Sequence, residues 1–549
     1  MPNNNTIATL KIDGVNYYLP ADENDVISLV NKAQNENKVI CMRGAAHSRP
    51  LISSLEHEVT SGRIYIHMGK MIKVKFDDDN QQVTVQGGCH LGKDPSDPIA
   101  SSGDESLRPF FSTLENSLNY QLDNHRIDPQ NPLKGWALPD LGGITHQTVG
   151  GFLSTGSSGS SLVESFIGQL VSITLVTGGT DGAKLVTFQR DDPQFPNTDD
   201  NPFYGVGVGL GLFGVIVSAT FQCMDSFNIK GQESTTKTTD CPIDLFGDKP
   251  HLQSLEDFYR NHTYKRIMWW PQPKVDKAVV WQAEPMPVKE GFVPNPYKEV
   301  PEIKLLGRST PIPAEIAADL MFRGFGDIGA WLDDLKVSHP LIYAALDFLQ
   351  ADEIVPFLLN LFTPVDPKCK DDPSKLCPPQ FQDVWYNGIP MDNKINDFLI
   401  PVWFTELWFH IEQGSKVLST LRDFFKSKPD IVGNFSYELY PAKANDFWMS
   451  AAYKRDVFRI DMFWFGDNPG SPLNEFYPAL WTELHNNNLH FRPHWGKFLP
   501  AGDSPEGAAY LRTQYPQFDK WLSLRQELDP HQVFVSDYWR SHLDIDKAA

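Results

Sequence analysis

The sequence predicts an α+β fold, a mixed sheet-and-helix architecture without the strict strand–helix alternation of a doubly wound sheet. Three observations carry this. The N-terminal region alternates short β-rich runs with turn residues around a single helical stretch. The 549 residues exceed what one hydrophobic core supports, so at least two domains are expected. Near residue 225 the character changes, first to Trp- and β-branched-rich runs, then to Pro-rich and helical stretches.

Strands are read at residues 39–42, 64–67, 72–76 and 82–86, with Asp77-Asp78-Asp79-Asn80 as a hairpin turn. Residues 25–35 space Val26, Leu29, Val30 and Ala33 as one helix face, which makes a small α/β unit. A polar insert, 94–134, precedes a Gly-rich stretch, and strands resume at 170–177 and 214–223. Residues 264–283 read as β, 285–313 as irregular, 314–362 as largely helical and 398–500 as mixed. Residues 510–542 read as helical at first and extended at their end.

Composition narrows the class. Hydrophobic residues at 41% and charged residues at 21% suit a globular protein. A formal net charge of −21 argues against nucleic acid and against anionic lipid as partners. The start, MPNNNTIATLKIDG, has neither a basic nor a continuous apolar segment, so a cytoplasmic location is expected. No run of apolar residues is long enough for a spanning helix. The six cysteines are too scattered for a disulfide framework or a zinc site, and no metal is expected. Cys369 and Cys377 flank a Lys/Asp/Pro-rich loop. They either bridge across it or, as is usual in a chain without a leader, stay reduced.

Three Gly-rich stretches are candidates for chemistry. The first is Met42-Arg43-Gly44-Ala45-Ala46-His47-Ser48, directly after a strand. The second runs from Gly142 through Thr148, Gly150, Gly151, Ser154, Thr155, Ser157 and Ser158 to Gly159. The third passes through Gly209 and Gly214 into Val215 and Ile216. Gly-rich turns flanked by small hydroxyl residues let backbone N–H groups converge on an anion such as a pyrophosphate. Each alone reads equally as a turn or a close-packing site. GxxxxGK[ST] is absent. The GxGxxG of 209–214 is followed by a strand, not by the helix that a Rossmann fingerprint requires.

Taken together and in this order, the three stretches resemble the FAD-binding domain of the vanillyl alcohol oxidase and p-cresol methylhydroxylase superfamily (the PCMH-type domain, with its two α/β subdomains). The resemblance covers about residues 15–225. Further on, Phe491-Arg492-Pro493-His494-Trp495-Gly496-Lys497 is similar to a signature of the aldonolactone and alditol oxidase branch. Residues 445–456 and the 515–534 segment resemble the same branch. The resemblance implies FAD held by Arg43 to Ser48, Gly142, the 148–159 positions named above, Gly214 to Ile216, His494 and Lys497. It also implies covalent attachment through His47, the position that carries the flavin in many members.

For the chemistry it implies Glu438 and Lys497 facing the flavin, with Asp461 at a position often His in alditol oxidases. Lys497 would stabilise the reduced cofactor as a fixed positive charge. Position 440 is Tyr where the branch has Arg, and a phenol supplies neither the charge nor the fork of a guanidinium. The long 285–410 region, with Trp331, Phe348, Phe357, Phe362, Trp403 and Trp408, resembles the enlarged cap of flavin-linked cholesterol oxidases. Glu406, a carboxylate in apolar company, reads as a paired structural residue or a second acid/base group.

The expected arrangement is an FAD domain over 1–225, a substrate cap of mixed sheet covered by helices over 226–500, and a 501–549 tail returning to the FAD domain. The expected activity is removal of hydride from the CH–OH group of a fairly bulky, apolar alcohol, with electrons passed to oxygen as hydrogen peroxide. The second substrate class is a sugar-1,4-lactone or alditol. A non-catalytic protein retaining the fold is the alternative of another class, and oligomeric state is left open.

Overall fold

The computed structural model describes residues 7–48, 62–299, 304–305, 308–309, 328–340, 343–344, 351–393, 402–428, 431, 433, 436–465, 468 and 470–547. The N-terminal unit is a four-stranded sheet. A hairpin of β1 (Ala8–Ile12) and β2 (Val15–Leu19) adds the parallel strands β3 (Val39–Arg43) and β4 (Arg63–His67), in the order β1-β2-β4-β3. Helix α1 (Glu23–Glu36) starts where Asp22 accepts from the amides of Asn24 and Asp25. It buries Val26, Leu29, Val30 and Ala33, the face that the spacing marks, and ends at Asn37 in the left-handed region.

A second sheet is antiparallel throughout. Strands β5 (Val74–Asp77) and β6 (Gln82–Gln86) form the hairpin expected at the Asp-rich turn. After α2 (Val149–Ser154) come β7 (Leu170–Thr177), β8 (Lys184–Gln189) and β9 (Val215–Gln222), in the order β5-β6-β9-β7-β8. The GxGxxG letters therefore lead into a strand, β9.

The largest element is an eight-stranded sheet. It contains β10 (Asn228–Lys237), β11 (Tyr264–Trp270), β12 (Lys277–Met286), β13 (Gln380–Val384), β14 (Val402–His410), β15 (Tyr437–Ala442), β16 (Val457–Phe465) and β17 (Arg492–Pro493). Their order is β13-β10-β12-β11-β15-β16-β14-β17. Between them, α3 (Ile328–Ser338) and α4 (Ala351–Phe362) lie in the stretch read as helical, of which 314–327, 341–342 and 345–350, Phe348 included, are outside the described residues. One face of the sheet is covered by α5 (Gly414–Ser427), which buries Val417, Leu418, Leu421, Phe424 and Phe425. Phe425 packs 5.8 Å from Trp269 of β11 and 5.1 Å from Tyr437 of β15, centroid to centroid. Each such side chain contributes roughly 1.5–3 kcal/mol by burial. Helix α6 (Tyr477–Asn486) adds to this cover, with Tyr477 donating to the Met462 carbonyl at 3.1 Å.

The C-terminal segment differs from its sequence reading. It forms three helices, α7 (Ala508–Gln514), α8 (Phe518–Leu528) and α9 (Asp537–Leu543), so the end is helical where an extended piece was expected. Ser536 caps α9 by accepting from the Trp539 amide, a local start signal that the strand-like Val533-Phe534-Val535 run masks. That run packs against the first sheet, and the Ile40 amide donates to the Val533 carbonyl at 2.7 Å. The Cys369 and Cys377 sulfurs are bonded, closing the loop between them. Among the described residues no helix is long and apolar enough to cross a membrane.

Candidate active site

A long cleft runs over the ends of the first two sheets. Arg43, Gly44, Ala45, Ala46, His47 and Ser48 border it, as do Thr148, Gly150, Gly151, Ser154, Thr155, Ser157, Gly214, Val215, Ile216, His494 and Lys497. The backbone comes close because side chains are missing where two segments cross. A Cβ on Gly150 would lie 3.0 Å from the Gly87 carbonyl oxygen. Gly214, at φ +151, would place one 2.4 Å from the Val176 carbonyl oxygen.

A second cavity opens from the same place; His47, Ser157, His494 and Lys497 border both. Gly142 and Ser158, expected at the cofactor, line this second cavity. Gly159 borders neither. Its amide donates to Asp140 at 2.9 Å and its carbonyl accepts from Arg459 at 2.8 Å, so it serves to tie these two charges together.

The floor of the second cavity is one face of the large sheet. Side chains alternate along a strand, so every second residue of β15, β16 and β14 points the same way. The register puts Glu438 opposite Asp461, and Asp461 opposite Glu406. Three carboxyl groups thus form a row across three strands. Tyr440, Arg459 and Trp408 make the next row in one direction, and Phe463 sits opposite Phe404 in the other. Met268 of β11 pairs with Glu438 and extends the row.

Charge within this floor is compensated from unexpected positions. Tyr440 donates its phenol to Glu438 Oε2, and the other oxygen accepts from Arg266 Nη1 at 3.1 Å. Arg266, on β11 beside β15, also donates to Asp392 at 2.8 and 3.0 Å. The guanidinium missing at 440 thus comes from the adjacent strand. Burial, with Asp392 nearby, pushes the Glu438 carboxyl up to about 7 against the pull of Arg266. On the other side, Arg459 donates to Glu406 at 3.1 Å and lies 4.5 Å over the Tyr440 ring.

Burial raises both Glu406 and Asp461, but their neighbours drive them apart. His494, Arg459 and Lys497 hold Glu406 down to about 2, while Asp461, facing the ionised Glu406, goes well up. Burial also pushes His494 down to about 4, so it is neutral at pH 7 and its pull on Glu406 lapses there; Arg459 and Lys497 remain. His494 Nδ1 accepts from the Gly496 amide at 3.0 Å, which leaves Nε2–H to donate to Ser157 at 3.1 Å. Both ring nitrogens are engaged.

Comparison with known proteins fits this site. Residues 16–93 match an FAD-binding domain family, and residues 395–542 match the D-arabinono-1,4-lactone oxidase family. L-gulonolactone oxidase of Mus musculus is 23% identical over 95% of this chain and 93% of its own. A putative D-arabinono-1,4-lactone oxidase of Neurospora crassa is 29% identical over 76% and 70%. The chain is an FAD-dependent oxidoreductase similar to the oxidases of the vanillyl alcohol oxidase superfamily. Cholesterol oxidase from Brevibacterium sterolicum shares the fold, with a TM-score of 0.67 at 17% identity over 99% of each chain.

In this oxidoreductase the long cleft suits FAD. Its walls are glycine-rich where backbone must approach a pyrophosphate, and small hydroxyl residues flank them. The His47 ring lies where the two cavities meet, 5.3 Å from the His146 ring. Sequence reasoning missed Arg266, Arg459 and Asp392. The first two lie in mostly apolar strands, Arg266 beside Lys265 and Arg459 two residues from Asp461, and the alternation that puts them on the Glu438 face was legible once the register was known. Asp392 sits on a loop, its amide donating to the Gly143 carbonyl at 2.8 Å, while Asn393 accepts from the Thr145 amide at 2.8 Å. No periodic signal marks it.

Proposed function

We propose that the protein oxidises the CH–OH group of a neutral, polyhydroxylated ring of the sugar-1,4-lactone class, with oxygen as final acceptor. The observation that carries this is the row Glu438–Asp461–Glu406 on the cavity floor, which offers acceptors to several substrate hydroxyl groups at once. The names of the relatives favour the same class. FAD supplies the hydride acceptor. Arg43 to Ser48, the 148–157 residues and Gly214 to Ile216 hold it, and His47 attaches to it covalently. Lys497, at the border of the two cavities, stabilises negative charge on the reduced cofactor. Glu438 and Tyr440, locked to each other and to Arg266, orient the ring. Asp461 meets the reacting hydroxyl.

A bulky apolar alcohol is the second reading, favoured by Met268, Trp270, Val402, Phe404 and Phe463 along the same cavity. Anaerobic flavin bleaching separates the two. Reduction by L-gulono-1,4-lactone or D-arabinono-1,4-lactone but not by cholesterol supports the first, and the reverse selects the second. Bleaching by neither class overturns both. The Cys369–Cys377 bridge favours an oxidising compartment over the cytoplasmic location suggested by the start of the chain.

A further inference from the structure

Two carboxylates cannot hydrogen-bond to each other, because an ionised carboxyl only accepts. Yet Glu406 and Asp461 are paired in register on adjacent strands, buried side by side on one cavity floor, where both cannot stay ionised. One of them carries the proton. Arg459 donates to Glu406 Oε1 at 3.1 Å and fixes Glu406 as the ionised partner, so the proton sits on Asp461. Both groups are buried, at 2% and 9% exposure, and both border the substrate cavity. Asp461 Oδ1 has no hydrogen-bond partner among the described residues. An unmatched buried acceptor of this kind is costly unless a ligand satisfies it.

We propose that Asp461 and Glu406 form a proton relay, in which one carboxyl oxygen of Asp461 takes the substrate hydroxyl proton as its other oxygen gives its own proton to Glu406. The proposal rests on the reading of the site as one for CH–OH oxidation. Glu438 is less suited to the role, since one oxygen accepts from Arg266 and the other from Tyr440. His494 is excluded by the engagement of both its ring nitrogens. The charged groups facing Asp461 are Glu406 on β14, Glu438 on β15, Arg459 on its own strand and Lys497 beyond β17.

The balance closes. The substrate loses a hydride with its electron pair to FAD and a proton to the relay, and its C–O bond becomes a carbonyl. Glu406 ends protonated and Asp461 is regenerated as the acid. Oxygen then accepts the hydride and its two electrons from the reduced cofactor, together with the Glu406 proton, and leaves as hydrogen peroxide.

Asp461→Asn separates this role from a structural one. The carboxamide keeps an acceptor oxygen toward the cavity and an N–H toward Glu406, so it copies the resting hydrogen bonds but carries no transferable proton. FAD content should be unchanged, and KM for L-gulono-1,4-lactone should stay within about threefold. The rate of anaerobic flavin reduction should fall by ~100-fold or more, the range of a lost proton-transfer group. Glu406→Gln should lose rate similarly.

A second readout needs no turnover. The wild-type minus Asp461→Asn infrared difference at neutral pH should contain a protonated-carboxyl C=O band that shifts in D2O, beyond the Glu438 and Asp140 bands common to both proteins. Flavin reduction by Asp461→Asn at the wild-type rate, or a difference spectrum without a protonated-carboxyl band, overturns the relay. If no lactone or sterol bleaches the wild-type flavin, the proposed function fails by itself. The infrared comparison then decides whether the pair holds its proton.

Discussion

Replacing Arg266 with Met takes away the guanidinium that Asp392 and Glu438 both face, while keeping a flexible apolar stem of similar length. Arg266 is 3% exposed, with Nη1 2.8 Å from Asp392 and 3.1 Å from Glu438. At an effective dielectric constant of about 20, each contact is a gross attraction of about 5 kcal/mol. The cost of burying the three charges offsets much of this. Breaking such a buried pair by removing one partner typically costs about 3–5 kcal/mol, because the carboxylates are left uncompensated.

The sign with pH follows. Without Arg266, Glu438 must take up a proton to remain buried, which is easy in acid and costly in base. The loss should therefore be near the full value at about pH 8 and much smaller at about pH 5.5. With an unfolding entropy of roughly 2.1 cal/mol/K per residue, the 549 residues give about 1.2 kcal/mol/K, so the shift in Tm is about 3–4 °C at the higher pH. Thermal unfolding of FAD-saturated protein, followed by tryptophan fluorescence at the two pH values, measures it. An equal loss at both, or a larger loss in acid, would refute the charge argument and leave a packing effect.

Asp140 makes a related case. Burial raises it from 3.8 to about 7, so its contribution to stability is complete below its unfolded value and is lost as pH rises through 7. That span corresponds to about 4 kcal/mol. Asp140→Asn should therefore flatten the decline of Tm between about pH 5 and 8, and a parallel decline in the variant would contradict the assignment. Cys369→Ser with Cys377→Ser opens a loop of sequence separation 8, which loop-closure entropy values at about 2.5 kcal/mol. Alkylation of the denatured wild type before reduction should modify only Cys41, Cys89, Cys223 and Cys241; six modified thiols would show that the bridge does not form. His47→Ala should release flavin into the supernatant after acid precipitation, whereas the wild type should retain it in the pellet; release from both would refute covalent attachment.

Much of the first two sheets could be read from the sequence because their signals are local. Alternation in 82–86, the Asp-rich turn and the helical face of α1 each lie within a few residues. The Gly-rich stretches were legible for the same reason, as loops beside strands. Gly159 went astray because a glycine that ties Asp140 to Arg459 looks no different from one beside a pyrophosphate. The acid floor was half legible. Glu438, Asp461 and Lys497 came from motif resemblance, but which charges faced them depended on pairings between strands far apart in sequence, and single-strand patterns contain no register. The same gap left Arg266 unnoticed, and with it the compensation for Tyr440.

The large sheet divides its labour by parity. Residues 437, 439, 460, 462, 405 and 407 pack on one side, beneath α5 and α6, while 438, 440, 459, 461, 404 and 406 present chemistry on the other. Point changes in the second set can re-specify the ligand without disturbing the first, so one scaffold can drift from one alcohol to another by single steps. Insertion of one residue within β16 has the opposite character. It would turn the hydrophobic side toward the flavin and drive Arg459 and Asp461 into the helices, erasing stability and activity together. Substitution is therefore the open path for diversification in these strands, and length change is the closed one.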